Sequence, residues 1–161
     1  PPTSPEIVLE NLSNAFPSNK LNYHLDVLGS DPDAEEHFSF VSDPIVALSH
    51  ADLFTNWGYL EEESFITQLF QSLNENGLQR VEWQVEENDP ISVDRFKIIA
   101  NYQITLSYLE TRAPLPTNLG GQATLTLVAN ADLLYEVLVW QDLDLPSDTL
   151  PCWSDLKALV Q

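Results

Sequence analysis

The chain has 161 residues, 43% of them hydrophobic and 19% charged, which suits one domain with a real core and excludes a disordered chain. Six Lys and Arg stand against 25 Asp and Glu, a net charge of −19, and such a surface repels nucleic-acid backbones and anionic membranes. No apolar run approaches the roughly 18 residues of a transmembrane helix.

At the N-terminus, Thr3, Ser4, Pro5 and Glu6 make a helix start, and Val8, Leu12, Ala15 and Phe16 fall on one face of the helix that follows. Pro17 interrupts, and Ser18 can restart a helix carrying Leu21, His24, Leu25 and Leu28 on one side. "GSDPDAEE" from Gly29 reads as a loop, and "HFSFV" from His37 as a short strand. "SDPIVALSHADLF" predicts a short helix capped by Asp43, with Pro44 at its first position. In "WGYLEEESFITQLFQSL", Ile66, Leu69, Phe70 and Leu73 follow the helical period, and Gly77 provides a stop. The Glu61 to Glu63 run is read as acids favoured by the helix dipole.

After Gly77 the period becomes two. Val81, Trp83 and Val85 alternate with polar residues, "ENDP" is expected to turn, and Phe96, Ile98, Ala100, Tyr102, Ile104, Leu106 and Tyr108 then share a strand face. The opposite face carries Lys97, Asn101, Gln103, Thr105 and Ser107, the pattern of an antiparallel sheet covered on one side. "RAPLPTNLGG" is expected to be a loop, Ala123 to Ala129 a strand, Asn130 to Asp132 a turn, and Leu133 to Leu145 the last strand. "CWSDLKALV" predicts a closing helix. Helices segregated from a meander of long strands is the α+β class: N-terminal helices packed on a strongly curved antiparallel sheet, a half-open cone, with a short C-terminal helix.

That order resembles the nuclear-transport-factor-like, or ketosteroid-isomerase-like (cystatin-like), cone fold. The end of the chain is similar to a group of bacterial envelope lipoproteins with that fold, whose last strand reads aromatic-x-aliphatic-x-x-Trp-x-Asp, followed by Trp-x-x-Leu-Lys. Here these are Tyr135, Val137, Trp140 and Asp142, then Trp153, Leu156 and Lys157, with Tyr135 in place of the more usual Trp. "SPEIVLENLSNAF" and "FSFVSDP" also look like the group. The resemblance implies a fold and an envelope or secreted location, and no chemistry. A start at "PPTSPE", without methionine, is what a chain trimmed behind a signal or a lipid tether would show.

Strict alternation in "LLYEVLVWQDLDL" puts Tyr135, Val137, Val139 and Gln141 on one face, whereas the family-like spacing groups Tyr135, Val137, Trp140 and Asp142. A β-bulge between Val137 and Trp140 reconciles the two, leaving Asp142 to brace the segment around Trp153 and Asp144 in solvent.

Cone-fold enzymes work in the cavity between helices and sheet, with an Asp or His tuned by apolar surroundings. The residues that could line such a ligand pocket are Tyr23, His24, Trp83, Tyr102 and Tyr108, and Asp26 points off the stripe that carries His24. No local His–carboxylate pair is evident, and the apolar face of the long strand supplies no acid, so a non-enzymatic module binding a small apolar ligand or a protein is favoured over an isomerase, hydratase or hydrolase using His24 with a tyrosine. Asp31, Asp33 and Glu35 begin like a calcium loop but lack its glycine and its final glutamate, and His24, His37 and His50 have no zinc-like spacing. No metal and no cofactor is expected. Between Lys20 and Arg80 lie eleven acids and no basic side chain, which leaves a basic partner or a cation as a further reading. Asn11 fits a glycosylation acceptor but falls inside a predicted helix, and Cys152, the single cysteine, is expected to be packed and inert. A homodimer through the open sheet face is a further expectation.

Overall fold

The computed structural model describes residues 1–31, 34–75, 77–110, 115–147 and 149–160. Helix α1 (Pro5–Ala15) buries Val8, Leu9, Leu12 and Ala15, and α2 (Leu21–Leu25) follows after Asn19 takes a left-handed φ of 47°. Leu28 has left the helix and forms an isolated parallel bridge with Val137, so α2 is shorter than the apolar spacing suggests. Strand β1 (Ser39–Val41) leads into α3 (Pro44–Ser49) and α4 (Ala51–Phe54), two short helices where the sequence suggests one. Asp43 caps α3, accepting from the amides of Ile45 at 2.8 Å and Val46 at 3.3 Å. Helix α5 (Tyr59–Ser72) is the longest, and Glu61 bonds back to the Gly58 amide at its start.

The strands are β2 (Arg80–Pro90), β3 (Arg95–Thr105), β4 (Asn118–Ala129) and β5 (Tyr135–Leu143), and α6 (Trp153–Val160) closes the fold. The sheet order is β1-β5-β4-β3-β2. Strands β2 to β5 form the expected antiparallel meander, while β1 adds in parallel beside β5 and makes the sheet mixed. The α+β cone expected of the sequence is the architecture observed.

Two departures concern turns. "ENDP" is strand, since Asn88, Asp89 and Pro90 pair with Ile98, Lys97 and Phe96, and the connection to β3 falls at Ile91 to Asp94. A register shift between Val85 and Glu87 resets the alternation there, and the exposed edge tolerates the proline. The "RAPLPTNLGG" segment is also partly strand, because β4 begins at Asn118; residues 111–114 lie outside the described residues.

A second shift falls between Thr126 and Leu127 of β4, which face Val139 and Val137, so Leu138 is the extra residue on β5. It lies where the spacing of Val137 and Trp140 requires a phase change. Val137, Trp140 and Asp142 are all buried, with Gln141 exposed between the last two. The bulges bend the sheet around α1, α5 and α6, and one continuous core fills the space between.

Candidate functional site

The interior of the cone is occupied by side chains, several of them charged. Glu62 stands at the head of the α5 stripe, one turn before Phe65 and Ile66, and is fully buried with them. Its carboxylate meets the Lys157 ammonium from α6, takes the Trp57 indole N–H at 2.8 Å and contacts His24 Nε2 at 3.1 Å. The Glu61 to Glu63 run therefore includes a core residue, and the dipole account of it is incomplete. Spacing could have found this, since Glu62 continues the 66, 69, 70, 73 stripe backward. Likewise Lys157 lies one turn after Trp153 on the buried face of α6.

Burial alone would raise the Glu62 carboxyl, but Lys157 and His24 outweigh it and bring the group down to about 2. Burial lowers Lys157, against the opposing pull of Glu62, to about 8. The ammonium sits 4.2 Å from the ring centre of Phe65, 4.4 Å from that of Phe40 and 4.5 Å from that of Trp57. With Trp153, whose ring centre is 5.5 Å away, four rings and a carboxylate thus replace its water.

A second polar cluster fixes the start of α6. Asp142 accepts from the Tyr102 hydroxyl at 2.6 Å, the Ser154 amide at 2.7 Å and the Ser154 hydroxyl at 2.6 Å. Tyr102 in turn accepts from the Trp153 amide at 2.8 Å. The backbone N–H of Asp43 donates to Ser154 Oγ at 2.9 Å, and Asp43 Oδ2 accepts from the Asp144 amide at 3.0 Å. An acid at a helix N-terminus satisfies amides that lack helical partners. Burial nevertheless raises Asp142 above the ordinary aspartate range, against its hydrogen bonds, and burial with the nearby Asp142 raises Tyr102 well above the usual phenol. Burial also pushes the Cys152 thiol up, consistent with an inert side chain.

The candidate pocket residues separate. His24 is 1% exposed and paired with Glu62 from a distant element, the carboxylate partner that local spacing could not reveal. Trp83 and Tyr102 meet edge to face, ring centres 5.9 Å apart, and Trp83 also touches Trp140. Tyr23 is half-buried beside Lys20, and the Tyr108 hydroxyl donates to Pro116 O at 2.9 Å, so neither joins the group around His24. Tyr135 packs on Phe96 at the other end of the strand, and Trp153 stacks on Trp140 at 6.3 Å. Asp33 of the calcium-like stretch lies outside the described residues; among those described, no three His, Cys, Asp or Glu side chains are grouped to hold a metal. No helix among them is long and apolar enough to cross a membrane.

An open groove of about 650 Å³ lies between β1 and α3–α4. The buried rings of Phe40, Phe54 and Trp57, with centres 5.4–6.1 Å apart, underlie it, and Ser39, Ser42, Thr55 and Asn56 add polar groups. Exposed Ile45 and Leu48 belong to α3, which contributes Ala47 to the groove. Phe40 and Trp57 are thus shared between the groove and the Lys157 box.

No family model matches this sequence, and no curated protein matches it. Solved structures do resemble it. A Shewanella oneidensis protein described as NTF-2 like and of unknown function aligns with TM-score 0.60 and 14% identity, covering 85% of this chain and 93% of the other. A ketosteroid isomerase-like protein from Erwinia carotovora atroseptica gives 0.56 and 10% identity, over 85% and 92% of the two chains. A Novosphingobium aromaticivorans protein provisionally named a scytalone dehydratase gives 0.61 and 12%, over 92% and 89%. At such identities the likeness shows the fold alone: this chain has the NTF2-like, ketosteroid-isomerase-like cone fold.

Proposed function

We propose that this chain is a non-enzymatic, single-domain binding module of the bacterial envelope or the cell exterior. It takes a small apolar ligand, or an apolar side chain of a protein partner, in the groove between β1 and α3–α4. The observation that carries this reading is the contrast between a filled interior and an open groove whose floor rests on the buried rings of Phe40, Phe54 and Trp57. Catalytic pairs need access to substrate, whereas an apolar cleft with a few polar groups is the usual form of a ligand site. The resemblance to envelope lipoproteins supports the location.

A titration with benzyl alcohol followed by indole N–H signals tests the groove. The Trp57 signal is expected to move while that of Trp153 stays, and Phe54→Ala is expected to weaken the effect. A Trp57 signal unmoved at saturating probe would defeat the reading.

A cone-fold isomerase, hydratase or hydrolase is the second reading, supported by the buried His24–Glu62 and Tyr102–Asp142 pairs. A soaked fragment found against Tyr102 or His24, and none in the groove, would favour it. Homodimerisation through the convex sheet face, where Ile99, Thr124, Thr126 and Val139 are partly exposed, is open to light scattering.

A further inference from the structure

Most of the box around Lys157 comes from outside α6. Phe40 comes from β1, Trp57 precedes α5, and Phe65 and Glu62 belong to α5. Aromatic faces converging on a carboxylate are how proteins recognise ammonium ligands. From α6 come Lys157 itself and, one turn earlier, Trp153, whose ring centre is 5.5 Å from the ammonium and which stacks on Trp140 with an interplanar angle of 11°. An aromatic ring and an ammonium on one helix face thus enter a site whose other walls come from β1, the segment before α5 and α5 itself.

The closed packing is also imperfect. The Nε1 atoms of Trp140 and Trp153 and the Nδ1 atom of His24 are buried without a hydrogen-bond partner. The three rings are neighbours, with His24 and Trp153 each 6.3 Å from Trp140. Native cores contain few such atoms, and each opposes the closed state. A buried ion pair is likewise seldom the most stable filling for a core, compared with apolar residues of equal volume. Both features suit an element that can leave.

We propose that α6 is an internal ligand, and that the cone is a binding site for an aromatic amine (an aryl group joined by a short chain to a primary ammonium) held closed by Trp153 and Lys157. The ligand ammonium takes the place of Nζ against Glu62, and its ring takes the place of the Trp153 indole on Trp140. The latch is the start of α6, where Ser154 bonds to Asp142 and Asp43. This site goes beyond the outer groove, and the two share Phe40 and Trp57.

Hydrogen exchange of the full chain with tryptamine, and with 3-methylindole as the uncharged control, tests the proposal. Tryptamine is expected to speed amide exchange across residues 153–160, and 3-methylindole to leave it unchanged. Ser154→Ala loosens the latch without touching the box, so it is expected to bind tryptamine about tenfold more tightly, because affinity scales with the open fraction. The Lys157→Met/Glu62→Gln double variant, which keeps volume but removes the carboxylate charge, is expected not to bind. Tryptamine binding with no faster exchange at residues 153–160, no binding to wild type or Ser154→Ala, or equal binding to the double variant, would each overturn the proposal.

Discussion

Lys157 and Glu62, 95 positions apart in sequence, meet as a fully buried ion pair that joins the last helix to α5. Neither charge has water to fall back on. Removing one partner leaves the other uncompensated, so Lys157→Met alone is expected to destabilise the fold by about 3–5 kcal/mol. The Lys157→Met/Glu62→Gln combination removes both charges and should recover most of that loss. Urea melts of the single and double variants measure the coupling, and additive effects would show that the pair does not act as a unit.

The two buried carboxyls predict opposite acid responses. Glu62 is lowered in the fold to about 2 from its ordinary 4.5, so its contribution is present above about pH 4.5 and lost as pH falls toward 2. Asp142 is raised by burial, so its contribution is present below the ordinary aspartate value and lost as pH rises through its folded one. Acid should therefore destabilise the fold through Glu62, with Asp142 offsetting part of the loss. Denaturation midpoints from pH 7 to 2 test this, and in Asp142→Asn the acid loss should be steeper because the offset is gone.

The sequence already made the element types legible, because the α5 stripe and the alternation from Phe96 to Ile104 are long and regular. The bulge at Leu138 was legible too, since the spacing of Val137, Trp140 and Asp142 fits no regular strand. The site was far less so. Glu62 and Lys157 occupy core positions of their helices, but a charge at such a position has physical sense only once its partner is known. That partner is supplied by the packing of α6 on α5, which no local pattern encodes. His24 shows the same limit, as its carboxylate lies 38 residues away. The turn after Glu86 was misplaced because a bulge mimics a strand end when alternation alone is read.

Leu133 takes a φ of 60° in the turn between β4 and β5 and is 74% exposed. Its side chain gains little from packing there, while the left-handed backbone costs a branched residue about 1–2 kcal/mol relative to glycine. The turn itself is held by Asn130, whose side chain accepts from the amides of Asp132 at 3.0 Å and Leu134 at 3.1 Å. Leu133→Gly leaves those bonds intact and is expected to raise stability by somewhat under 1 kcal/mol, since glycine also loses more freedom on folding. A thermal melt reads the sign, and a lower melting temperature would mean that Leu133 packs more than its exposure indicates.

Gly121 pairs with Tyr102 across β3 and β4, and the tyrosine ring lies directly over it. A Cβ at this position would fall 2.3 Å from the Tyr102 hydroxyl and 2.9 Å from the Leu143 carbonyl oxygen. The Leu143 backbone must give a little, and the ring must move aside. Moving it breaks the bond to Asp142 and frees the Trp153 amide, loosening the start of α6 from the sheet. Overpacking with the loss of two buried hydrogen bonds should make Gly121→Ala destabilising by about 3 kcal/mol. Tyr102→Phe removes the same two bonds without the clash, so it should lose less, about 1–2 kcal/mol. Urea melts of both variants separate steric from hydrogen-bonding contributions, and a Gly121→Ala protein as stable as wild type would show that the ring has room to shift.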